Sequence, residues 1–273
     1  MIQFESELYK FSKEVEPYLL KEPSLHSQML SLIKRYQELN KPMNLLLRLG
    51  EVVGIQTEKE RALLFSKCSE VEAQNFATKL LEKKISLPGI NGPIPAVDAF
   101  ADFWCRETGL KKILGLNLRL FELTEVSSPK KTSGHFRFAE EKDEALLLKW
   151  MKEFHYEAVP HDPLASDEAL LKAIKNCITE KGYFLWEDRG EVVCWVASTR
   201  QTQREGWIAP VYTPKHLRGK GYASSLVAVA SQAILDKGKV ALLFTDLANP
   251  TSNSIYQKIG YKPLADFRHW IFE

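Results

Sequence analysis

Residues 207–245 carry the pattern that most restricts what this chain can fold into. Trp207-Ile-Ala-Pro-Val-Tyr212 is apolar and rich in β-branched and aromatic side chains, which predicts a strand. Pro210 cannot donate to a ladder, so the strand is expected to be interrupted or bulged there. A basic turn with two glycines follows, Thr213-Pro-Lys-His-Leu-Arg-Gly-Lys-Gly221. Tyr222 to Lys237 then reads as a helix, with Leu226, Val229, Ala230, Ala233 and Ile234 at helical spacing and Gly238 as its stop. Val240 to Thr245 reads as a buried strand. Strand, turn, helix, strand is a βαβ unit, and it places the turn at the carboxyl end of a strand. Gly219 and Gly221 let successive N–H groups converge on one concavity. The helix start adds further N–H groups and the positive end of its dipole, and Arg218, Lys220 and Lys215 add charge. That combination suits a pyrophosphate. Taken alone, the segment is equally a plain strand-to-helix turn.

A second pattern follows in register. Asn249-Pro250 has the form of a helix start, with Asn as cap and Pro at the first helical position. The short helix carries Ile255, Tyr256 and Ile259, Gly260 ends it, and Tyr261 leads towards a last strand near His269-Trp-Ile-Phe272.

With both patterns in place the chain resembles the GCN5-related N-acetyltransferase (GNAT) superfamily. Arg218-Gly-Lys-Gly-Tyr-Ala223 fits that family's (Gln/Arg)-x-x-Gly-x-(Gly/Ala) motif. Asn249-Pro-Thr-Ser-Asn-Ser-Ile-Tyr256-Gln-Lys-Ile-Gly260-Tyr261 fits its Asn-(x)6-Tyr-x-x-x-Gly-(Phe/Tyr) ending. The resemblance covers residues 135–273. The layout is similar to FR47-like and glycine N-acyltransferase-like members, in which a divergent first half precedes a complete second half.

The resemblance implies an α/β fold with a mixed sheet and transfer of an acetyl or other acyl group from acetyl-CoA to an amine by direct attack, without an acyl-enzyme. It implies that backbone groups at the strand end Val211-Tyr212-Thr213 pair with the pantetheine arm as an added strand would. A backbone amide at or near Val211 would face the thioester oxygen. N–H groups from Arg218 through Gly219, Lys220, Gly221 and Tyr222 to Ala223, with Ser224, would hold the pyrophosphate. Tyr256 is the candidate general acid that protonates departing coenzyme A; the simpler reading is a packing tyrosine on a short helix. Asn249 is a candidate pantetheine contact, although capping alone explains an asparagine before a proline. Asn253, one turn before Tyr256, shares its face or is a solvent-exposed polar residue.

No single general base stands out. Glu205, Glu187 and Asp246 are candidates, and a water relay is the alternative. His216 reads as a loop histidine, and Trp186, Trp195 and Trp207 as core or pocket wall. A catalytically inactive acyl-CoA-binding or scaffold protein on the same fold is the competing function class.

The other constraints are mostly exclusions. With 273 residues the chain has room for two domains. A net charge of +2 gives no support for nucleic-acid binding. No run of 18 apolar residues suggests a membrane span, and Met1-Ile-Gln-Phe-Glu-Ser-Glu-Leu8 lacks an apolar signal core. Cys68, Cys105, Cys177 and Cys194 are far apart, so reduced thiols, no metal site and a cytoplasmic home are expected. The expected partner is a small-molecule or peptide amine, with the protein a monomer or homodimer.

The first half is organised but chemically quiet. Residues 3–39 predict two helices separated near Pro23. Asn44–Leu49, Val52–Gln56 and Ala62–Ser66 predict strands, and Glu70–Lys84 a helix with Leu80 and Leu81 on its apolar side. Leu87–Pro95 predicts a turn, Ala96–Thr108 a helix and Lys112–Val126 a strand. The order parallels the second half, but Gly89-Ile-Asn-Gly92 has no flanking cations. Residues 1–126 are therefore expected to form a degenerate GNAT-like domain, 127–134 a linker and 135–273 the catalytic domain. In the second half, strands are expected at His135–Phe138, Tyr183–Asp188 and Glu191–Thr199, and helices at Lys142–His155 and Asp167–Glu180.

Overall fold

Two amphipathic helices lie near the start of the chain. In the computed structural model, which describes residues 2–127, 132–158, 164–198 and 201–273, a short strand β1 (Gln3–Phe4) leads into α1 (Leu8–Leu19) and α2 (Pro23–Glu38). Pro23 occupies the first helical position, where a missing N–H leaves no gap in the helix. Phe11, Val15 and Leu19 recur at helical spacing and pack with Met29 and Ile33 against Leu46, Val53 and Ile55. Those three lie on strands β2 (Leu45–Leu49) and β3 (Val52–Gln56), which pair antiparallel.

Next come β4 (Leu63–Phe65), α3 (Glu70–Glu82), β5 (Gly89–Pro93), α4 (Ala96–Thr108) and β6 (Lys112–Leu123). Here the structure departs from expectation, because the stretch predicted as a turn contains β5. Its glycines are what permit a strand. A Cβ at Gly89 would strike the Trp270 carbonyl oxygen, and one at Gly92 the Phe65 carbonyl oxygen. Gly89 and Gly92 thus allow close approach of neighbouring strands.

The second half contains β7 (His135–Phe138), α5 (Glu144–Ala158), α6 (Asp167–Thr179), β8 (Tyr183–Asp188) and β9 (Glu191–Ala197). It continues with β10 (Glu205–Trp207), β11 (Val211–Tyr212), α7 (Tyr222–Leu235), β12 (Val240–Asp246), α8 (Pro250–Ile259) and β13 (Lys262–Phe272). The last strand is longer than the segment near His269 predicted for it. Thr199 of the predicted β9 and residues 128–131 of the predicted linker lie outside the described residues.

Two compact units divide the chain, and they do not follow chain order. The first comprises Met1–Phe121, Phe244–Pro250 and Pro263–Glu273; the second comprises Glu122–Leu243 and Thr251–Lys262. The expected boundaries at 126 and 134 follow the polypeptide, whereas compactness follows burial. Within the first unit the strand order is β1-β2-β3-β4-β5-β13-β6. There Phe272 of β13 stacks on Trp104 of α4 at 6.1 Å, inside the core that includes Phe65, Phe76 and Phe100. Within the second unit β11-β9-β8-β7 form one antiparallel sheet, and β10 pairs parallel with β12. Leu147 and Trp150 of α5 and Ile174 of α6 pack on Tyr183, Leu185, Trp195 and Tyr212 of that sheet. Arg189 and Gly190, with φ of 53° and 81°, close the β8–β9 hairpin.

Candidate active site

The strand that precedes the glycine turn changes partners. Glu205, Gly206 and Trp207 of β10 lie opposite Val240, Ala241 and Leu242 of β12, and the Ile208 N–H donates to the Leu242 carbonyl at 2.8 Å. One residue later the backbone has moved to β9: the Ala209 N–H donates to the Ala197 carbonyl at 2.9 Å. The Ala197 N–H in turn donates to the Pro210 carbonyl, also at 2.9 Å. Pro210 stands where the ladder is broken, the place its missing N–H tolerates. β11 then runs antiparallel to β9, Val211 opposite Val196 and Tyr212 opposite Trp195. In antiparallel alternation the Pro210 and Tyr212 backbones face β9, so Val211 and Thr213 turn their N–H and C=O groups to the open edge.

The glycine turn follows. Gly219 and Gly221 both take left-handed φ values, 80° and 85°, which side chains with a Cβ rarely adopt. Gly221 is the cap residue of α7. The first bond of the helix runs from the Ser225 N–H to the Gly221 carbonyl at 3.1 Å. The N–H groups of Gly221, Tyr222, Ala223 and Ser224 therefore have no partner within the helix and mark its positive end. The Lys220 carbonyl accepts from the Thr132 hydroxyl at 2.7 Å. The Tyr222 phenol donates to Asp188 at 2.6 Å, and the Ser133 hydroxyl donates to the same carboxylate oxygen at 3.0 Å. Only the backbone of Tyr222 thus remains available at the turn.

Two side chains on the motif have partners that the motif does not name. Tyr212 points into the core beside Trp150, and its hydroxyl donates to Glu153 at 2.7 Å. Arg218 Nε donates to the Thr213 carbonyl at 2.8 Å, while its two terminal nitrogens grip Glu157. The Arg218 N–H turns back towards the Lys215 carbonyl at 3.4 Å. Lys220 is exposed at the turn. Glu153, Glu157, Asp188 and Thr132 escape a reading of the motif because their partners are 34 to 88 residues away. Glu153 and Glu157 share a helix face, but nothing local says which strand they meet.

Tyr256 of α8 is buried, 9% exposed, and its ring meets Tyr261 edge-on at 5.9 Å. Burial, with the neighbouring Cys194 thiol, pushes the phenol up to about 12. Burial also pushes the Cys194 thiol up to about 12, against the opposing effect of the Thr213 hydroxyl. Both groups hold their protons at neutral pH. Asn253, one helical turn before Tyr256, is half-buried. Asn249 is exposed, belongs to the stretch Phe244–Pro250 of the first unit, and its N–H donates to the Asp246 carbonyl at 3.0 Å.

The three carboxylates considered as bases all have structural partners. Glu205 is 2% exposed and accepts a very short bond from the Thr202 hydroxyl. It stands at the amino end of β10, away from Val211 at the other end of the broken strand. Glu187 pairs with Arg137 at 2.7 Å, which holds its carboxyl below the usual range. Asp246 accepts from the Ala248 N–H at 2.8 Å in the turn before α8. His216 lies exposed in a single helical turn, Lys215–Leu217. Trp195 and Trp207 are core residues, and Trp186 Nε1 donates to the Ser133 carbonyl. All four cysteines are free. Among the described residues no group of His, Cys, Asp or Glu could hold a metal, and no helix is long and apolar enough to cross a membrane.

The first unit has the corresponding β4–α3–β5 segment, and it is closed. β4 keeps both neighbours: Leu64 lies opposite Ile55 of β3 and also opposite Asn91 of β5. The start of α3 already has an anion, because Ser69 and Glu72 form a reciprocal capping box.

Known proteins share parts of this sequence and its fold. Residues 182–271 match the model of the FR47-like protein family. A segment of 73 residues, 26% of this chain, is 34% identical to the N-alpha-acetyltransferase MAK3 of Arabidopsis thaliana and spans 38% of that relative's length. Among solved structures, a GNAT-family acetyltransferase from Colwellia psychrerythraea superposes with a TM-score of 0.63 at 10% identity, covering all of both chains. A GCN5-related N-acetyltransferase from Sphaerobacter thermophilus gives 0.65 at 13%, over 98% of this chain and 94% of that one. A tandem GNAT protein from the clavulanic acid biosynthesis pathway gives 0.54 at 9%, over 99% and 98%. The chain has the fold of these GNAT acetyltransferases, in a two-half layout like that of the tandem protein. The FR47-like segment lies in the half that carries the strand exchange, the glycine turn and Tyr256.

Proposed function

We propose that this protein is an N-acetyltransferase that moves an acetyl group from acetyl-CoA to a small-molecule or peptide amine by direct attack. The observation that carries the reading is the exchange of partners at Ile208–Ala209, set directly before a glycine turn whose N–H groups open a helix. The open edge of β11 suits a pantetheine arm, which carries amide groups and can pair as an added strand. The turn at Gly219–Ser224 suits a diphosphate. The thioester supplies an activated acyl group.

The residues then divide the work. The Val211 N–H polarises the thioester oxygen as charge develops there. The amine nitrogen bonds to the carbonyl carbon, the C–S bond breaks, and the sulfur takes the Tyr256 proton. Water carries the proton lost by the amine and restores the one Tyr256 gave up. Glu205, Glu187 and Asp246 are occupied structurally, so a water relay is the better reading of the base. No metal enters this scheme. Four free cysteines are in keeping with a cytoplasmic home.

Titration calorimetry with acetyl-CoA tests the reading. Val at position 221 would have to adopt φ near 85°, and its side chain would stand where phosphate must approach the backbone. Gly221→Val should raise the dissociation constant by at least about tenfold, or ~1.4 kcal/mol. Unchanged affinity in a folded variant would remove the assignment.

A further inference from the structure

Arg218 is the one cation fixed by the motif, yet its guanidinium is already committed. Nη1 lies 2.7 Å from Oε1 of Glu157, and Nη2 donates to Oε2 at 2.9 Å, a two-pronged grip. Nε donates to the Thr213 carbonyl at 2.8 Å. One turn earlier on α5, Glu153 accepts from the Tyr212 hydroxyl. The last turns of α5 therefore hold the end of β11 at two successive residues, just where that strand has left β12. We propose that Arg218 is a positioning residue: clamped by Glu157, it holds the splayed end of β11 in place instead of giving its charge to the phosphates of a bound ligand. The inference rests on the proposed coenzyme A site. It also specifies that site further. The Thr213 carbonyl faces the open edge but is taken, so Val211 presents the free backbone groups there. Phosphate contact falls to the N–H groups of the turn and to Lys220. The carboxyl of Glu157 is held below its usual range, chiefly by Arg218 and then by Lys215, in keeping with a permanent pair.

The sign of one substitution separates the two roles of Arg218. Glu157→Gln removes a negative charge beside a binding site for a polyanion. If Arg218 serves the phosphates, the variant frees it and coenzyme A binds more tightly. If Arg218 serves as a clamp, the strand end loosens and binding weakens, by roughly threefold for a partly exposed pair. Arg218→Lys, which keeps the charge and loses the fork, should weaken binding to a similar extent. The double variant should bind no more weakly than the weaker single one, since both changes break the same contact. Tighter or unchanged binding by Glu157→Gln, or additive losses in the double variant, would overturn the clamp. Amide exchange of Tyr212–Leu217 in the ligand-free chain supplies a readout that does not depend on coenzyme A. Exchange should be faster in Glu157→Gln than in the parent; equal exchange rejects the clamp. Failure of the parent protein to bind coenzyme A would instead reject the proposed function, leaving exchange to decide whether the clamp exists.

Discussion

Burial holds the Tyr256 phenol at about 12, so the proton that a general acid must give is present throughout the neutral range. General acid assistance contributes 10²–10⁴-fold in typical cases. Tyr256→Phe should lower kcat by about tenfold or more and leave acetyl-CoA affinity within about threefold, because the ring still packs against Tyr261. Steady-state kinetics with a responsive amine, beside calorimetry, separates the two quantities; full turnover in the variant would make Tyr256 a packing residue. A second residue governs stability instead. His26 in α2 is buried, its Nδ1 donates to the Leu19 carbonyl at 3.1 Å, and its Nε2 accepts from the Lys67 N–H at 3.2 Å. Only the neutral ring satisfies both bonds. Burial holds its pKa below the ordinary 6.5, helped by Lys67 and opposed by the Leu19 carbonyl and Glu22. The unfolded chain therefore binds the proton first on acidification, so this contribution is full above pH 6.5 and is lost as pH falls below it. Thermal melts from pH 7.5 down to 5.5 should show the parent losing stability faster than His26→Gln, which starts lower and declines less. Parallel declines would disprove the linkage.

At the scale of elements, two helix starts with the same place in a β–α–β segment have opposite chemistry. The start of α7 presents backbone N–H groups after two left-handed glycines, whereas the start of α3 is filled by the Ser69–Glu72 box. Ser69→Ala should cost about 1 kcal/mol of stability. It should leave coenzyme A affinity unchanged, since α3 holds its own carboxylate where a ligand anion would go. Chemical denaturation and calorimetry on the same sample check both halves of this expectation, and a clear change of affinity would contradict it. The turn at α7 is legible in sequence because glycine spacing and a following helix pattern are local. β5 is not legible, because its glycines answer to backbone atoms of Phe65 and Trp270, residues remote in sequence. The same two glycines, read locally, say turn.

At the scale of the whole molecule, the two halves predict a single ligand. Titration of the full chain should give a single equivalent of coenzyme A, and Gly221→Val should weaken it at least about tenfold. A second equivalent that survives the substitution would show that the first half binds after all. The full chain is the proper sample, because β13 closes the core of the first unit while lying at the far end of the polypeptide.

Sequence alone determined the order of strands and helices in the second half, the glycine turn, the break at Pro210 and the position of Tyr256 on its helix. Each depends on a propensity or a spacing that acts over a few residues. Tertiary structure decided what those residues meet. It placed Arg218 on Glu157 rather than leaving it free, tied Thr132 of the linker to the turn, and gave β13 to the first unit. These are pairings between segments far apart in the chain, selected by which buried faces and unpaired backbone edges fit one another, and no local pattern encodes the partner.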